Sequence, residues 1–533
     1  MESQESQPER QSDQEVRLIK SASVVAIATF LSRITGFLRD MLFAKLLGAS
    51  IASDAFYVAF RIPNMLRELL AEGSISAGFI PVFTEYLTKR SREEAASLAR
   101  AAFTLLFLIL IVIVGIGILL TPELLHLIAP GFGKDPNLFA LTTRLTRVMF
   151  PFLLFISLAA LTMGILNSVH RFGPPAISSA LCNIVMIFFI LFPFYPQPVF
   201  LAAIGVIAGG FCQFAMQIPA VKKEGFALSF QWPIFPLHPG LFQIGKLILP
   251  ITLSLSVTQI NILVSTIVAS TLASGSVSYL YYAMRLIHFP LGIFGVALAT
   301  VLLPTLSVQA AKADYTGLRQ SLSFGLRLIF FIMAPAMAGL IFLRVPIVHL
   351  LFEHGVFNHL ATIETSEALL YYAIGLWAFA GVRVVVPVFY SLQDTKTPVK
   401  VAIIAMVLNV VLSFSLAVPL QHKGLAAATS LSAIFNFVVL VVLLRKKIGQ
   451  IDAKRIAFSH LKVLFGAICM MPPALFISKM PLWDTPQHWM EKIGLLTIAI
   501  VFSTAIYFMT QAILKSEELI FLKNTLQKRL NRA

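Results

Sequence analysis

Four arginines stand where a cation is costly: Arg33, Arg39, Arg67 and Arg285 lie inside stretches that are otherwise largely apolar. A guanidinium cannot shed its charge, because its pKa exceeds about 12. At the centre of a bilayer an arginine costs about 2.5–3.5 kcal/mol on the translocon scale. Such a residue must face a cavity, pair with an acid, or snorkel to the interface. Guanidinium groups grip phosphate oxygens in bidentate fashion, so a cavity lined by several of them suits a phosphate or diphosphate. If that cavity also opens to lipid, the expected anion is large and membrane-associated.

The neighbours of these arginines suggest how they are held. Arg33 and Arg39 lie in Ser32-Arg33-Ile34-Thr35-Gly36-Phe37-Leu38-Arg39-Asp40, with Gly36 leaving room for close backbone approach. Asp40 follows Arg33 by seven residues, nearly the same helical face, so an internal pair between them is one reading. Around Pro63-Asn64 cluster Asp54, Arg61, Arg67, Glu68 and Glu72. Asp54, Arg61 and Glu68 share one face at seven-residue spacing, and an inter-helix salt bridge would explain Arg61 and Glu68 equally well. Arg285 has no acid within four residues; Met284 precedes it and His288 lies one turn on. The bases exceed the acids on these faces, which predicts a net positive cavity. Arg33, Arg39, Arg67 and Arg285 are the expected substrate-binding set, with Asp40, Asp54, Arg61, Glu72 and His288 as gating or supporting residues. Arg144, Arg147, Arg327 and Lys246, close to the ends of apolar stretches, read as snorkelling anchors.

Covalent chemistry has no foothold here. There is no HExxH, no GxxxxGK[ST] and no GxSxG. Cys182, Cys212 and Cys469 are widely spaced in apolar surroundings, and no metal-ligand set is recognisable in the histidines. The expectation is a protein that is not an enzyme and needs no cofactor. Any transport would draw on an ion gradient, the membrane potential or substrate flow.

The elements that must carry these residues follow from composition. The chain has 533 residues, 58% hydrophobic and 12% charged, where a soluble domain has about 45–50% and about 25%. Its mean hydropathy is +0.86. This excludes a soluble enzyme and a disordered regulator and predicts an all-α polytopic membrane protein. Fourteen apolar stretches are long enough to cross, at roughly 21–44, 54–88, 101–122, 144–168, 175–195, 199–221, 245–272, 279–310, 321–345, 364–391, 398–419, 424–445, 459–479 and 490–514. With the N-terminus inside and sides alternating, 25 of the 41 basic residues fall in cytoplasmic segments and 6 in outer loops. That asymmetry predicts both termini in the cytoplasm. Most of the net charge of +16 therefore records orientation and gives no argument for nucleic acid.

An internal similarity suggests duplication. Tyr57-Val58-Ala59-Phe60-Arg61-Ile62 resembles Tyr281-Tyr282-Ala283-Met284-Arg285-Leu286 at an offset of 224, and Ala49-Ser50 matches Ala273-Ser274 at the same offset. The offset carries the second span onto the eighth, an even displacement that preserves orientation. The repeats would be parallel, related by a pseudo-two-fold along the membrane normal. The expected order is a disordered cytoplasmic tail (1–20), an N-terminal six-helix lobe (21–221) and an inter-lobe cytoplasmic loop (222–244). A C-terminal six-helix lobe (245–446), two appended helices (447–514) and a basic cytoplasmic tail (515–533) follow.

Several of these segments resemble a known family. Ser32-Arg33 through Gly36-Phe37-Leu38-Arg39-Asp40, Ser53-Asp54-Ala55-Phe56, Arg61-Ile62-Pro63-Asn64-Met65-Leu66-Arg67 and Ala71-Glu72-Gly73 look like the MurJ (MviN) lipid II flippases. So do Ala273-Ser274-Gly275-Ser276-Val277-Ser278, Tyr282-Ala283, Arg285-Leu286, Phe389-Tyr390-Ser391 and Asp394-Thr395-Lys396-Thr397-Pro398. The resemblance implies a fourteen-helix member of the multidrug/oligosaccharidyl-lipid/polysaccharide exporter superfamily, in the bacterial inner membrane. Its last two helices would form a lipid-facing groove with the lobes. It implies transfer of lipid II, the undecaprenyl-diphosphate-linked peptidoglycan precursor, from the cytoplasmic to the periplasmic leaflet by alternating access. Membrane lipids and cell-wall synthesis or division proteins are the implied partners, and the family's cavity arginines map onto Arg33, Arg39, Arg67 and Arg285. This chain departs from the pattern at Met284 and His288, where relatives often carry acids, so acid partners for Arg285 do not carry over. Alternatives are an exporter of another polyprenyl-linked oligosaccharide, or a non-transporting scaffold of the cell-wall machinery.

Overall fold

The computed structural model describes residues 7–69, 75–192, 196–233, 237–484 and 488–530. Among them there are helices and connecting turns and no strand. The chain divides into two compact units, Met1–Leu263 and Val264–Ala533.

The first unit holds α1 (Gln7–Leu47), α2 (Ile51–Arg67), α3 (Ser76–Lys89), α4 (Arg92–Leu119), α5 (Thr121–Ile128), α6 (Pro136–Met149), α7 (Phe152–Ser168), α8 (Gly173–Leu191) and α9 (Pro198–Lys223). The division falls within α10 (Pro239–Ser270), so residues 245–263 of the expected seventh span count with the first unit. The second unit continues with α11 (Ser276–Pro290), α12 (Val296–Ala311), α13 (Tyr315–Phe342), α14 (Arg344–Phe352), α15 (His359–Ile374), α16 (Leu376–Ser391), α17 (Lys396–Leu420) and α18 (His422–Ile448). It ends in α19 (Ala453–Cys469), α20 (Met471–Ser478), α21 (Trp489–Ile513) and α22 (Glu517–Leu530).

Eleven helical segments of the described residues are long and apolar enough to cross a membrane, and Pro239–Thr252 with Leu255–Ser270, bent by 45°, makes a twelfth. These lie at the third to fourteenth expected positions. The first two expected spans are not among them, so the count of fourteen is not reached on length and hydropathy. α2, with 17 residues, is too short to count and carries Asp54, Arg61 and Arg67; α1 carries Arg33, Arg39 and Asp40 towards its C-terminal end. The protein is nonetheless plainly multi-pass. Its flanks are rich in exposed large apolar side chains such as Leu119, Val418 and Ile513, which only lipid can solvate favourably.

Residues 7–20, expected to be disordered, are helical and continuous with α1. Their Gln, Glu, Arg and Lys content favours helix, and the one proline, Pro8, sits in the first turn where it is tolerated. Elsewhere polar residues set the helix starts. Ser50 and Ser53 form a reciprocal capping box for α2. Ser91, Asp135, Asp314, Asn358 and Asp452 each accept from a backbone N–H in the first turn they open.

Close packing in the first unit depends on small residues. Gly205 and Gly209 are four apart on α9 and turn to α8. A Cβ added at Gly209 would sit 2.9 Å from the Cys182 carbonyl, so the two backbones approach as small-xxx-small pairs do. The 222–244 segment is tied to α3 and α4. Phe226 is buried edge-on to Phe83, Phe230 packs on Phe103 and Phe107, and the Gln231 N–H donates to Thr104 Oγ1 at 2.9 Å.

The offset-224 similarity has a local structural counterpart. α2 widens into π turns at residues 68–69, and α11 widens into a π segment at Leu291–Gly295. The offset carries residue 68 to 292. Such widening breaks the regular helical ladder and often marks functional positions.

Candidate functional site

In the first unit, α1 and α8 hold Arg39 between them. Its Nη2 and Nε both donate to Asp40 Oδ1, at 2.7 and 3.1 Å. Its Nη1 donates to Asn183 Oδ1 on α8 at 2.9 Å. Asn183 is itself oriented, donating from Nδ2 to the Ser32 carbonyl at 3.2 Å and the Ser179 carbonyl at 3.3 Å. The Arg39 guanidinium also lies 5.8 Å from the Phe43 ring centroid. Asp40 is fully buried, and a buried carboxylate of this kind needs a paired base. Asp40 thus pairs with its chain neighbour. Arg33, seven residues away, is exposed and makes no ion pair among the described residues.

A second arrangement joins α2 to α10. Arg67 donates from Nε to Asn64 Oδ1 at 3.0 Å, and Asn64 Nδ2 donates to Glu68 Oε1 at 3.2 Å. Arg67 Nη2 is 3.7 Å from the same carboxylate oxygen. Gln259 on α10 donates to the other oxygen, Glu68 Oε2. Glu68 is therefore held by an amide from each helix and by Arg67. Asp54 is buried and Arg61 half-buried on the same α2 helix. Glu72 lies outside the described residues.

In the second unit, Arg285 is half-buried on α11 between a buried face and an exposed one. Tyr282 and Leu286 turn inward, Tyr282 against Phe352 and Phe357, while His288 is exposed one turn on. The anchors near span ends divide. Arg144, Arg147 and Lys246 are exposed, as snorkelling requires. Arg327 is not a snorkelling anchor. It is buried, and its Nη1 donates at 2.7 Å to both Glu517 Oε2 and Glu518 Oε1 of α22. Its acids come from about 190 residues downstream, beyond the reach of any local spacing argument.

Asn183 and Gln259 are the site residues that charge-based reading misses. Both are carboxamides in stretches with no Asp, Glu, Lys or Arg, and that polar exception is the signal that points to them. Chemically, both arrangements present guanidinium groups held by groups that can be exchanged for an anion's oxygens. Neither contains a nucleophile–base pair.

The comparisons with known proteins show the family. The family model described as lipid II flippase MurJ matches residues 43–494. A probable lipid II flippase MurJ of Vibrio cholerae serotype O1 is 40% identical over 434 residues, 80% of this chain and 82% of the relative. The lipid II flippase MurJ of Burkholderia cenocepacia is 36% identical over 436 residues, 81% and 84% of the two chains. Among solved structures, a lipid II flippase MurJ in an inward closed conformation superposes with a TM-score of 0.74 at 27% identity, covering 91% of this chain and 98% of its own. An inward-facing MATE transporter of the MOP superfamily shares the fold alone, with a TM-score of 0.67 at 15% identity over 79% of this chain and 96% of its own. With the family model spanning most of its length and relatives of 36–40% identity covered over four-fifths of theirs, this chain belongs to the lipid II flippase MurJ family.

Proposed function

We propose that this protein is a flippase that carries lipid II from the cytoplasmic to the periplasmic leaflet by alternating access, with no covalent step on the substrate. The observation that carries the reading is the holding of Arg39 and Arg67 by Asp40, Asn183, Asn64 and Glu68 inside an apolar helical unit. A diphosphate offers the same two-oxygen geometry as the carboxylates and competes with them for the guanidinium forks. Arg33, Arg39, Arg67 and Arg285 engage the diphosphate, and release of Arg39 from Asp40 couples binding to gating. The prenyl chain stays in lipid beside α19 to α21. Both termini lie in the cytoplasm of a bacterium whose inner membrane holds the protein, as the distribution of basic residues indicates. The driving force is an ion gradient or the membrane potential. Cell-wall synthesis or division proteins are the candidate partners.

The test is depletion of the protein in its host with measurement of lipid II accessible on the outer leaflet, and rescue by Arg39→Ala, Arg67→Ala and Arg285→Ala. The expected result is a fall in outer-leaflet lipid II that none of the three restores. Unchanged outer-leaflet lipid II on depletion would overturn the flippase reading. Full rescue by all three variants would favour a scaffold that needs no cationic site.

A further inference from the structure

Outside the arginine site, the described residues contain one set of three side chains with the donors and spacing for a metal ion: His349, Glu353 and His359. It lies within the second unit, at the end of the spans that the basic-residue distribution assigns to the outer face. His349 occupies the last turn of α14, Glu353 caps that helix, and His359 opens α15. The short connection between them is fixed. Gly355 turns it with φ +62°, Phe357 is buried against Tyr282, and Asn358 caps α15 by accepting from the Ala361 N–H at 2.9 Å.

The donor atoms converge. His349 Nδ1 is 2.8 Å from Glu353 Oε2, and His359 Nδ1 is 3.3 Å from both Glu353 oxygens. All three ligand atoms lie within 4.8 Å of one another. Ligands about 2.0–2.1 Å from a tetrahedral zinc ion are about 3.3 Å apart, so only small movements would seat an ion among these groups. The ring of His349 is already oriented by Lys492 Nζ, 2.8 Å from Nε2, and by Trp483 edge-on at 5.8 Å.

We propose that His349 Nδ1, His359 Nδ1 and the Glu353 carboxylate form a binding site for a zinc-class divalent ion, with water in the remaining position. Two imidazoles and one carboxylate select Zn²⁺, Co²⁺ or Ni²⁺ over Mg²⁺ or Ca²⁺, which prefer all-oxygen shells. The ion would tie the end of α14 to the start of α15. The Lys492 ammonium donates to His349 Nε2, so Nδ1 carries the ring proton in the metal-free site; binding an ion at Nδ1 releases that proton to solvent while Nε2 takes one from Lys492, and this cost keeps affinity moderate, roughly micromolar, well below that of four-ligand structural zinc sites.

The experiment uses the full chain purified in detergent, any affinity tag removed and bound metal stripped with a chelator. ZnCl₂ is titrated by calorimetry and CoCl₂ by visible absorption. The expected result is one ion per chain, with His359→Ala and Glu353→Gln each weakening binding at least tenfold. His354→Ala is the control, since His354 Nε2 turns to the Leu350 carbonyl, 3.1 Å away, and should leave binding unchanged. Lys492→Met should tighten binding by roughly tenfold, the scale of removing one unit charge beside a divalent ion. No stoichiometric binding by the wild-type chain would overturn the proposal. So would binding that survives both His359→Ala and Glu353→Gln. His359 is on the exposed side of the cluster, so its alanine variant reports on the site even if His349 variants fail to fold.

Discussion

Glu518→Gln is the sharpest probe of how the C-terminal helix is held. The Glu518 side chain is 2% exposed and the Arg327 side chain 7%. Glu518 accepts from Arg327 Nη1 at 2.7 Å, from Ser459 at 3.0 Å and from Ser516 at 2.7 Å. Removing one partner of a buried pair usually costs about 3–5 kcal/mol, because the other charge is left uncompensated. Here Glu517 stays 2.7 Å from the same Arg327 nitrogen, and the amide oxygen can still accept from one serine while its N–H donates to the hydroxyl of the other. The expected cost is therefore smaller, about 2–3 kcal/mol. If α22 opens locally, that cost raises its opening equilibrium about 30- to 150-fold. The assay is hydrogen–deuterium exchange of peptides covering 517–530 in the purified protein. Glu517→Gln is the comparison. Glu517 is half-exposed, pairs with the equally exposed Arg455, and its loss leaves Arg327 its Glu518 partner, so its removal should change exchange by less than about fivefold. The apolar contacts of α22, such as Phe521 edge-on to Phe324 at 4.8 Å, are common to both variants. Exchange in Glu518→Gln within threefold of wild type would refute the reasoning. An effect of Glu517→Gln as large as that of Glu518→Gln would refute it as well.

Three other outcomes follow from single contacts. Asn183→Leu should cut complementation of a depletion strain at least tenfold while leaving expression intact, since it frees Arg39 Nη1 from α8; normal complementation would make Asn183 dispensable for orienting Arg39. Gly424→Ala should lower yield and thermal stability sharply, because the added methyl meets the Leu416 carbonyl. Gly115→Ala, with open space around it, should be neutral or stabilising by roughly 0.5–1 kcal/mol on helix propensity, and both melt in the same fluorescence assay. Hydrogen bonds from Lys447 and Thr397 hold the Asp394 carboxyl well below its ordinary value. A depressed acid contributes stability above its unfolded pKa and loses it only as pH falls through the folded value. The destabilisation by Asp394→Asn should therefore be constant from pH 5 to pH 8 in a melting series, and a slope across that window would contradict the pairing.

What the sequence made legible, and what it hid, divides along one physical line. A charge in an apolar run is rare and local, so Arg33, Arg39, Arg67 and Arg285 announce themselves without any knowledge of neighbours. The identity of a partner is not local. Arg39 is held by Asn183, 144 residues away, and Glu68 by Gln259, 191 away, through carboxamides that no charge count registers. Arg327 has the same local appearance as Arg144 and the opposite fate, because its acids sit on α22, far beyond its own helix. α1 and α2 carry Asp40, Asp54 and the arginines among largely apolar neighbours. A helix that carries charges inside an apolar run is informative in its own right. Its polar atoms must be satisfied by protein or by a ligand. Asp40 and Asp54 are buried, Arg39 is clasped between helices, and Arg33 is left exposed. Of Arg33, Arg39 and Asp40, Arg33 is thus the exposed one, and under the proposed function it would be the first to meet an incoming diphosphate, with Arg39 following once Asp40 yields it.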